Sequence, residues 1–302
     1  MSTPVREIVA RARRIPEHHR SFTETPETAT KVHQIPPDLL AELTAEGLPR
    51  ADTPDGPRYD NHDLASIAVT LRLPSPRFMG MRGWVAALRH GTAGVPVDYA
   101  VRLIPTCTGG CLDPGAPYRI HPGLAPLITE HPTDPARPVF TIRHRAQGES
   151  IELTGAPRQL IELLSKVEHY LVPSLDLRED LDFVRRTRLA DCDLAARYLA
   201  AEAARLGVEA RTSFGLLLAK PYSTGHSWLD IKVDGAWHPF DPLIGKMLAN
   251  AGLTPPGEWP AHRSLGASFL RFADEPVELL EHCGVPVRLG FPTKRTPVPE
   301  SP

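Results

Sequence analysis

Apolar and polar positions alternate along this chain with periods that change several times, and each change marks an element. Pro36-Pro37-Asp38 opens an apolar series at Leu39, Leu40 and Leu43 that stops at Gly47, the pattern of a short capped helix. Helical spacing returns over Asp60 to Leu73 and Met79 to Leu88, the two separated by Pro74-Ser75-Pro76. From Val97 the period drops to two. Val97 to Ile104 reads as a strand, and Val139 to Arg145 with Ser150 to Thr154 reads as a hairpin about Gln147-Gly148-Glu149. Pro157 then opens a helix with Leu160, Ile161, Leu164, Val167 and Leu171 on one face, and the charged stretch Asp176 to Thr187 reads as an exposed helix or connector.

The last part of the chain carries the chemistry. Asp191-Cys192-Asp193 precedes an Ala-rich run from Leu194 to Leu206 that ends at Gly207, which places Cys192 at a helix N-terminus. Unpaired N–H groups and the positive helix end favour a thiolate there, while one flanking aspartate is consumed as the N-cap. A strand from Val208 to Phe214 follows, then the polar loop Lys220 to Gly225. In the segment from His226 to Val233, Leu229, Ile231 and Val233 form an apolar face and leave His226, Trp228, Asp230 and Lys232 on the other.

Asp234-Gly235 is the signature of a two-residue type I′ turn. That turn fixes a register in which Lys232 faces Trp237, Ile231 faces His238 and Trp228 faces Asp241. Asp241 then shares a face with His226, diagonal to it and within reach of a carboxylate–imidazole hydrogen bond. His238 falls on the opposite face. A three-residue turn would reverse this choice, and Pro239 places its strand at an edge or a bulge. A thiol, an imidazole and an orienting carboxylate are the parts of a nucleophile that attacks a carbonyl and forms a thioester. Trp228 is expected as a packing residue or a wall of the acyl site, and Asp191 as a cap or a substrate contact.

These residues resemble the transglutaminase-like superfamily, whose core reads as a helix-borne cysteine, a strand with His-Ala/Ser-Trp, a turn with Gly-x-Trp, and Asp-Pro. The matching residues are Cys192, His226-Ser227-Trp228, Asp234-Gly235-Ala236-Trp237 and Asp241-Pro242. The chain departs at Ala190, where the family commonly has glycine, and at Asp230, where it commonly has glutamate. The resemblance implies an α+β fold with a papain-like core, a helix bearing Cys192 packed on an antiparallel sheet. It also implies Cys192, His226 and Asp241 as the catalytic residues.

On this reading residues 1–34 form a frayed N-terminus, 35–154 an accessory helical and β region, 155–290 the catalytic domain and 291–302 a Pro-rich tail. The implied activity is acyl transfer from a peptide, amide or carrier-bound thioester to an amine or water. Amide formation in bacterial natural-product or peptide metabolism is favoured over a peptidase or amidase that trims a precursor, and over a non-catalytic binding module.

Composition narrows the picture further. At 302 residues with 41% apolar side chains, the chain is long enough for a sizeable core. The 34 basic and 36 acidic side chains nearly cancel, leaving no footprint for nucleic acid or an anionic membrane. The three short helices before Val97 also lack a basic recognition face. The N-terminus lacks the pattern of a secretory signal, and no apolar run reaches membrane length, so a cytoplasmic protein is expected. Four irregularly spaced cysteines fit that compartment better than a disulfide scaffold. Cys107 and Cys111, in Cys-Thr-Gly-Gly-Cys, suit a loop or core better than a zinc or redox pair because no second ligand pair accompanies them, and no metal or cofactor is expected. Cys283, near an expected helix end, reads as an idle thiol, with His262 and His282 at the surface.

Overall fold

The computed structural model describes residues 5–107, 113, 115–134, 137–172 and 175–297. The chain divides into two compact units, each assembled from three separate stretches: 1–82, 159–202 and 242–261 in the first, and 83–158, 203–241 and 262–302 in the second.

Helices dominate the first unit. The series after Pro36 becomes the helix Pro37–Ala45, with Leu40 and Leu43 buried and Gly47 in the left-handed region at φ 93°. Asp60 caps the helix Asn61–Thr70, its Oδ1 accepting from the His62 and Asp63 N–H groups at 2.8 and 3.1 Å. Near the N-terminus Val5–Ala12 forms a short helix with Ile8, Val9 and Ala12 buried. Arg20 secures its end by donating to the Ala12 and Ile15 carbonyls at 2.6 and 2.7 Å. Arg20 also meets Asp63 at 2.7 Å, both side chains 1% exposed, and Tyr170 donates to the same carboxylate.

The helix expected from Pro157 to Leu171 is shorter, Gly155–Glu162. Leu164, Val167 and Leu171 are buried all the same, because the chain turns and Glu168–His169 pairs in parallel with Leu189–Ala190. Burial, not helical geometry, spaces those apolar residues. The charged connector folds as two short helices, Leu175–Glu179 and Leu181–Thr187, with Leu177, Phe183 and Val184 buried.

Antiparallel sheet dominates the second unit. One four-stranded sheet has the order Ala236–Phe240, Thr224–Val233, Ala210–Leu217, Phe269–Ala273. A second is centred on Val97–Thr106. The expected hairpin does not form. Phe140–Ala146 pairs with Val97–Thr106, while Ile151 and Leu153 exchange backbone hydrogen bonds with Ser264 and His262. Alternation identifies a strand without naming its partner, and the ten-residue Val97–Thr106 strand offers a longer ladder than the adjacent segment. The proline-rich end, expected as a loose tail, likewise pairs: Thr293–Pro297 lies along the same strand. Val101, Leu103, Phe140, Ile142, Leu216, Leu270 and Phe272 form the unit's core. Among the described residues no helix is long and apolar enough to cross a membrane.

Candidate active site

In the second unit the turn behaves as its residues require. Asp234 and Gly235 have φ of 50° and 83°, and the strands they join pair as Lys232↔Trp237, Ile231↔His238 and Leu229↔Phe240. Two positive φ values in succession match the right-handed strand twist, which explains the preference for Asp-Gly here. The ladder closes at Phe240, fully buried, and Asp241 follows with its side chain 3% exposed. His226 Nε2 lies 2.7 Å from Asp241 Oδ2, with the His226 side chain 6% exposed. A carboxylate only accepts, so Nε2 carries the proton of this bond. His238, opposite Ile231, takes no part.

Aromatic rings fix the imidazole plane. Phe269 stacks on His226 at 5.4 Å between centroids and 11° between planes, and Trp84 meets it edge-on at 6.0 Å. Trp84 is itself held by its indole N–H, which donates to Thr224 Oγ1 at 3.3 Å. Gly215 pairs with His226, and a Cβ there would fall 1.9 Å from the Leu270 carbonyl oxygen. The absence of a side chain lets the Phe269–Ala273 strand close and bring Phe269 over the ring.

Trp228 stacks on the other end of this arrangement, 4.6 Å from Phe269, and donates its indole N–H to Asp230 Oδ1 at 2.8 Å. Asp230 also accepts from Ser213 at 2.7 Å and lies 3.4 Å from Arg211. The shorter acid at the position where the family commonly has glutamate is thus the anchor of the tryptophan. Trp228, Asp230, Trp237, Phe269 and Arg271 line a cavity of about 290 Å³. Sequence reasoning missed Trp84 and Phe269, which reach His226 from other parts of the chain and carry no local signal.

In the first unit Cys192 opens the helix Cys192–Arg205, half-buried and not disulfide-bonded. Gly207, at φ 65°, lies just past the helix end as expected. Asp191 is the cap: its Oδ1 accepts from the Leu194 N–H at 2.9 Å and its Oδ2 from the Val172 N–H at 3.4 Å. Burial raises the Asp191 carboxyl above its ordinary value, against the pull of the Leu194 N–H and of Arg178, 3.7 Å away. Its carboxylate is committed to the backbone on both oxygens. Asp193 is held by Arg197 at 3.2 Å, one turn on. The Arg77 guanidinium is within electrostatic reach of both Cys192 and Asp191. Cys107 is half-buried, and Cys111 lies outside the described residues.

The second unit thus holds a buried carboxylate–imidazole pair, and the first holds a thiol at a helix start. Residues 135–242 match the family model of the transglutaminase-like superfamily, so the chain carries a transglutaminase-like domain over that stretch. The match includes Cys192 and His226 and ends one residue past Asp241. Among solved structures, the chain is similar to a candidate cysteine protease from Cytophaga hutchinsonii at 11% identity and a TM-score of 0.31, covering 68% of this chain and 91% of that one. No curated protein matches.

Proposed function

We propose that the chain is a cysteine-dependent acyl transferase in which Cys192 is the nucleophile, His226 the base and Asp241 the residue that orients the base. The 2.7 Å hydrogen bond between His226 Nε2 and Asp241 carries this reading, because it orients the ring and commits Nε2 to the carboxylate, so that proton exchange with the thiol is assigned to Nδ1. Nδ1 takes the Cys192 proton as sulfur attacks the donor carbonyl. The tetrahedral oxyanion is met by backbone N–H groups at the start of the Cys192–Arg205 helix. The imidazolium then returns the proton to the departing amine, alcohol or thiol, and the acyl group remains on sulfur as a thioester. An acceptor amine, deprotonated by the same nitrogen, attacks the thioester, forms an amide and regenerates the thiol.

The buried, aromatic-walled surroundings of His226 support an amine acceptor over water, and so amide formation over hydrolysis. A bacterial peptide or natural-product substrate is the class expected for the donor. Intact-mass measurement after brief exposure to iodoacetamide tests the nucleophile: one rapid adduct is expected, absent in Cys192→Ala. A fast-reacting thiol elsewhere would overturn the assignment. Partitioning of a trapped acyl-enzyme between amines and water tests the second step, and a preference for water over every amine tried would make the protein a hydrolase.

A further inference from the structure

Outside the proposed triad, the second unit holds two polar clusters. In one, Cys107 lies 3.4 Å from His282 Nδ1. Contrary to the expectation of a surface histidine and a helix-end thiol, His282 is buried on a strand and Cys283 is exposed on a turn, and no group there among the described residues could hold a metal. The other cluster lies on the face of the sheet that carries His226.

Strand geometry places that second cluster. Side chains two apart share a face, so His226, Trp228 and Asp230 point the same way along Thr224–Val233. In the antiparallel register Gly215 lies opposite His226, Ser213 opposite Trp228 and Arg211 opposite Asp230, and on the next strand Arg271 lies opposite Gly215. Directly paired residues share a face, so Arg211 and Arg271 stand on the side of the base. At about 3.3 Å per residue, Asp230 and Arg211 are roughly 13 Å from His226 along the strands. The cavity of about 290 Å³ beside Trp228 occupies this end of the face, with Trp237 and Phe269 completing its apolar lining and Arg145 joining from Phe140–Ala146.

The polar part of the lining is cationic, with the guanidinium groups of Arg145, Arg211 and Arg271 against a single carboxylate, Asp230. Asp230 is already engaged, accepting from the Trp228 indole at 2.8 Å and the Ser213 hydroxyl at 2.7 Å. Arg271 is committed to Ser213, at 2.9 Å, and to Asp274. Arg211 reaches Asp230 only at 3.4 Å, and its Nε is buried without an acceptor. Its guanidinium lies over the Trp237 ring, 4.2 Å from the ring centre, which steadies the group and keeps its in-plane N–H donors for an anion. Arg145 is 3.9 Å from Asp98, both side chains more than half exposed, a pairing that solvent largely screens. Arg211 and Arg145 therefore bring uncompensated positive charge to an aromatic-lined cavity.

We infer that this cavity holds the carboxylate of the acceptor, an extended peptide of about four residues with a free C-terminus. The inference rests on the proposed acyl transfer, in which the acceptor amine must reach His226. An extended chain advances about 3.3–3.6 Å per residue, so the roughly 13 Å from the base to Arg211 is spanned by about four residues, and the carboxylate of a single amino acid falls far short. A guanidinium fork matches the two oxygens of a carboxylate. Trp237 and Phe269 suit an apolar or aromatic last side chain.

Two measurements on the full chain separate the cavity from the chemistry. Tryptophan fluorescence of Cys192→Ala reads binding of N-acetyl-Ala-Ala-Ala-Phe, which has no amine to react. The free acid should bind at least about tenfold more tightly than its C-terminal amide. Arg211→Gln should remove most of that difference, Arg211→Lys part of it, and Arg145→Gln, on an exposed side chain, should also reduce it; circular dichroism verifies that each variant is folded. Equal affinity for acid and amide would overturn the inference, as would tighter binding of inorganic phosphate than of the peptide acid. In the second measurement, acyl-enzyme formed from an activated phenyl ester should pass its acyl group to Ala-Ala-Ala-Phe with kcat/KM at least about tenfold above that for the peptide amide or for alanine. An acyl-enzyme that forms and transfers equally to acid and amide would overturn the acceptor assignment. Failure of any acyl-enzyme to form would instead overturn Cys192 as nucleophile, and the fluorescence result would still decide the carboxylate site.

Discussion

Replacing Asp241 by asparagine isolates what the carboxylate does for His226, because volume is kept and only the charge and one acceptor are lost. The two groups are 2.7 Å apart with side chains 6% and 3% exposed. At an effective dielectric constant of about 20, opposite charges at that separation attract by roughly 6 kcal/mol, a gross figure reduced by desolvation of the carboxylate. An asparagine can also turn its amide N–H toward Nε2, which moves the ring proton to Nδ1, where a lone pair is needed. The comparable substitution in a serine-protease triad lowers turnover about 10⁴-fold, roughly 5 kcal/mol, which agrees with the Coulomb figure after that reduction. Acylation of Cys192 by an activated phenyl ester, followed by phenol release in a single turnover, should therefore slow by about 10³- to 10⁴-fold in Asp241→Asn. His226→Ala should show a similar loss, and the double variant little more, since the two act as one unit. An Asp241→Asn protein with an unaltered circular dichroism spectrum that acylates within about tenfold of wild type would refute the orienting role.

Three further outcomes concern the scaffold. Arg20→Ala leaves the Asp63 carboxylate buried without its cation and should cost about 3–5 kcal/mol in urea unfolding, with Asp63→Ala in the same chain adding less than its own effect. Asp191→Asn should gain stability relative to wild type as pH rises: burial raises the native carboxyl above its ordinary 3.8, so the native state holds the proton longer than the unfolded chain does. Wild-type stability from this group then falls as pH climbs from 3.8 through the native value, and Asp191→Asn lacks that slope; parallel wild-type and variant curves over this range would contradict it. Gly215→Ala forces a methyl to within 1.9 Å of the Leu270 oxygen, a backbone atom that cannot step aside, and should destabilise by about 1–3 kcal/mol or more while loosening Phe269 from His226. Unchanged unfolding together with unchanged acylation in Gly215→Ala would show that the strands part there at little cost.

How much of the site the sequence reveals depends on how far apart its parts lie along the chain. The His226–Asp241 pair is legible because one two-residue turn, Asp234-Gly235, has a single favourable geometry, and that geometry propagates outward through a strict period of two. The position of Cys192 is legible for a similar reason: Asp191 and Gly207 mark the two ends of one helix by local hydrogen-bonding chemistry. Trp84 and Phe269 escape notice because nothing near either residue indicates that it faces an imidazole; their placement follows from strand order and from the close approach that Gly215 permits. The same distinction explains why Phe140–Ala146 was recognisable as a strand and its partner was not. It also accounts for Asp230. As a letter it is a departure from the family pattern, but with Ser213 and Trp228 both donating to it, it becomes the fixed point that holds the aromatic wall beside His226. A one-methylene change at that position, Asp230→Glu, therefore shifts the anchor of Trp228 while leaving His226 and Asp241 untouched. Its effect should fall on acceptor selection in the second step, with the rate at which Cys192 is first acylated preserved. An equal loss in both steps would mean that the wall supports the base itself.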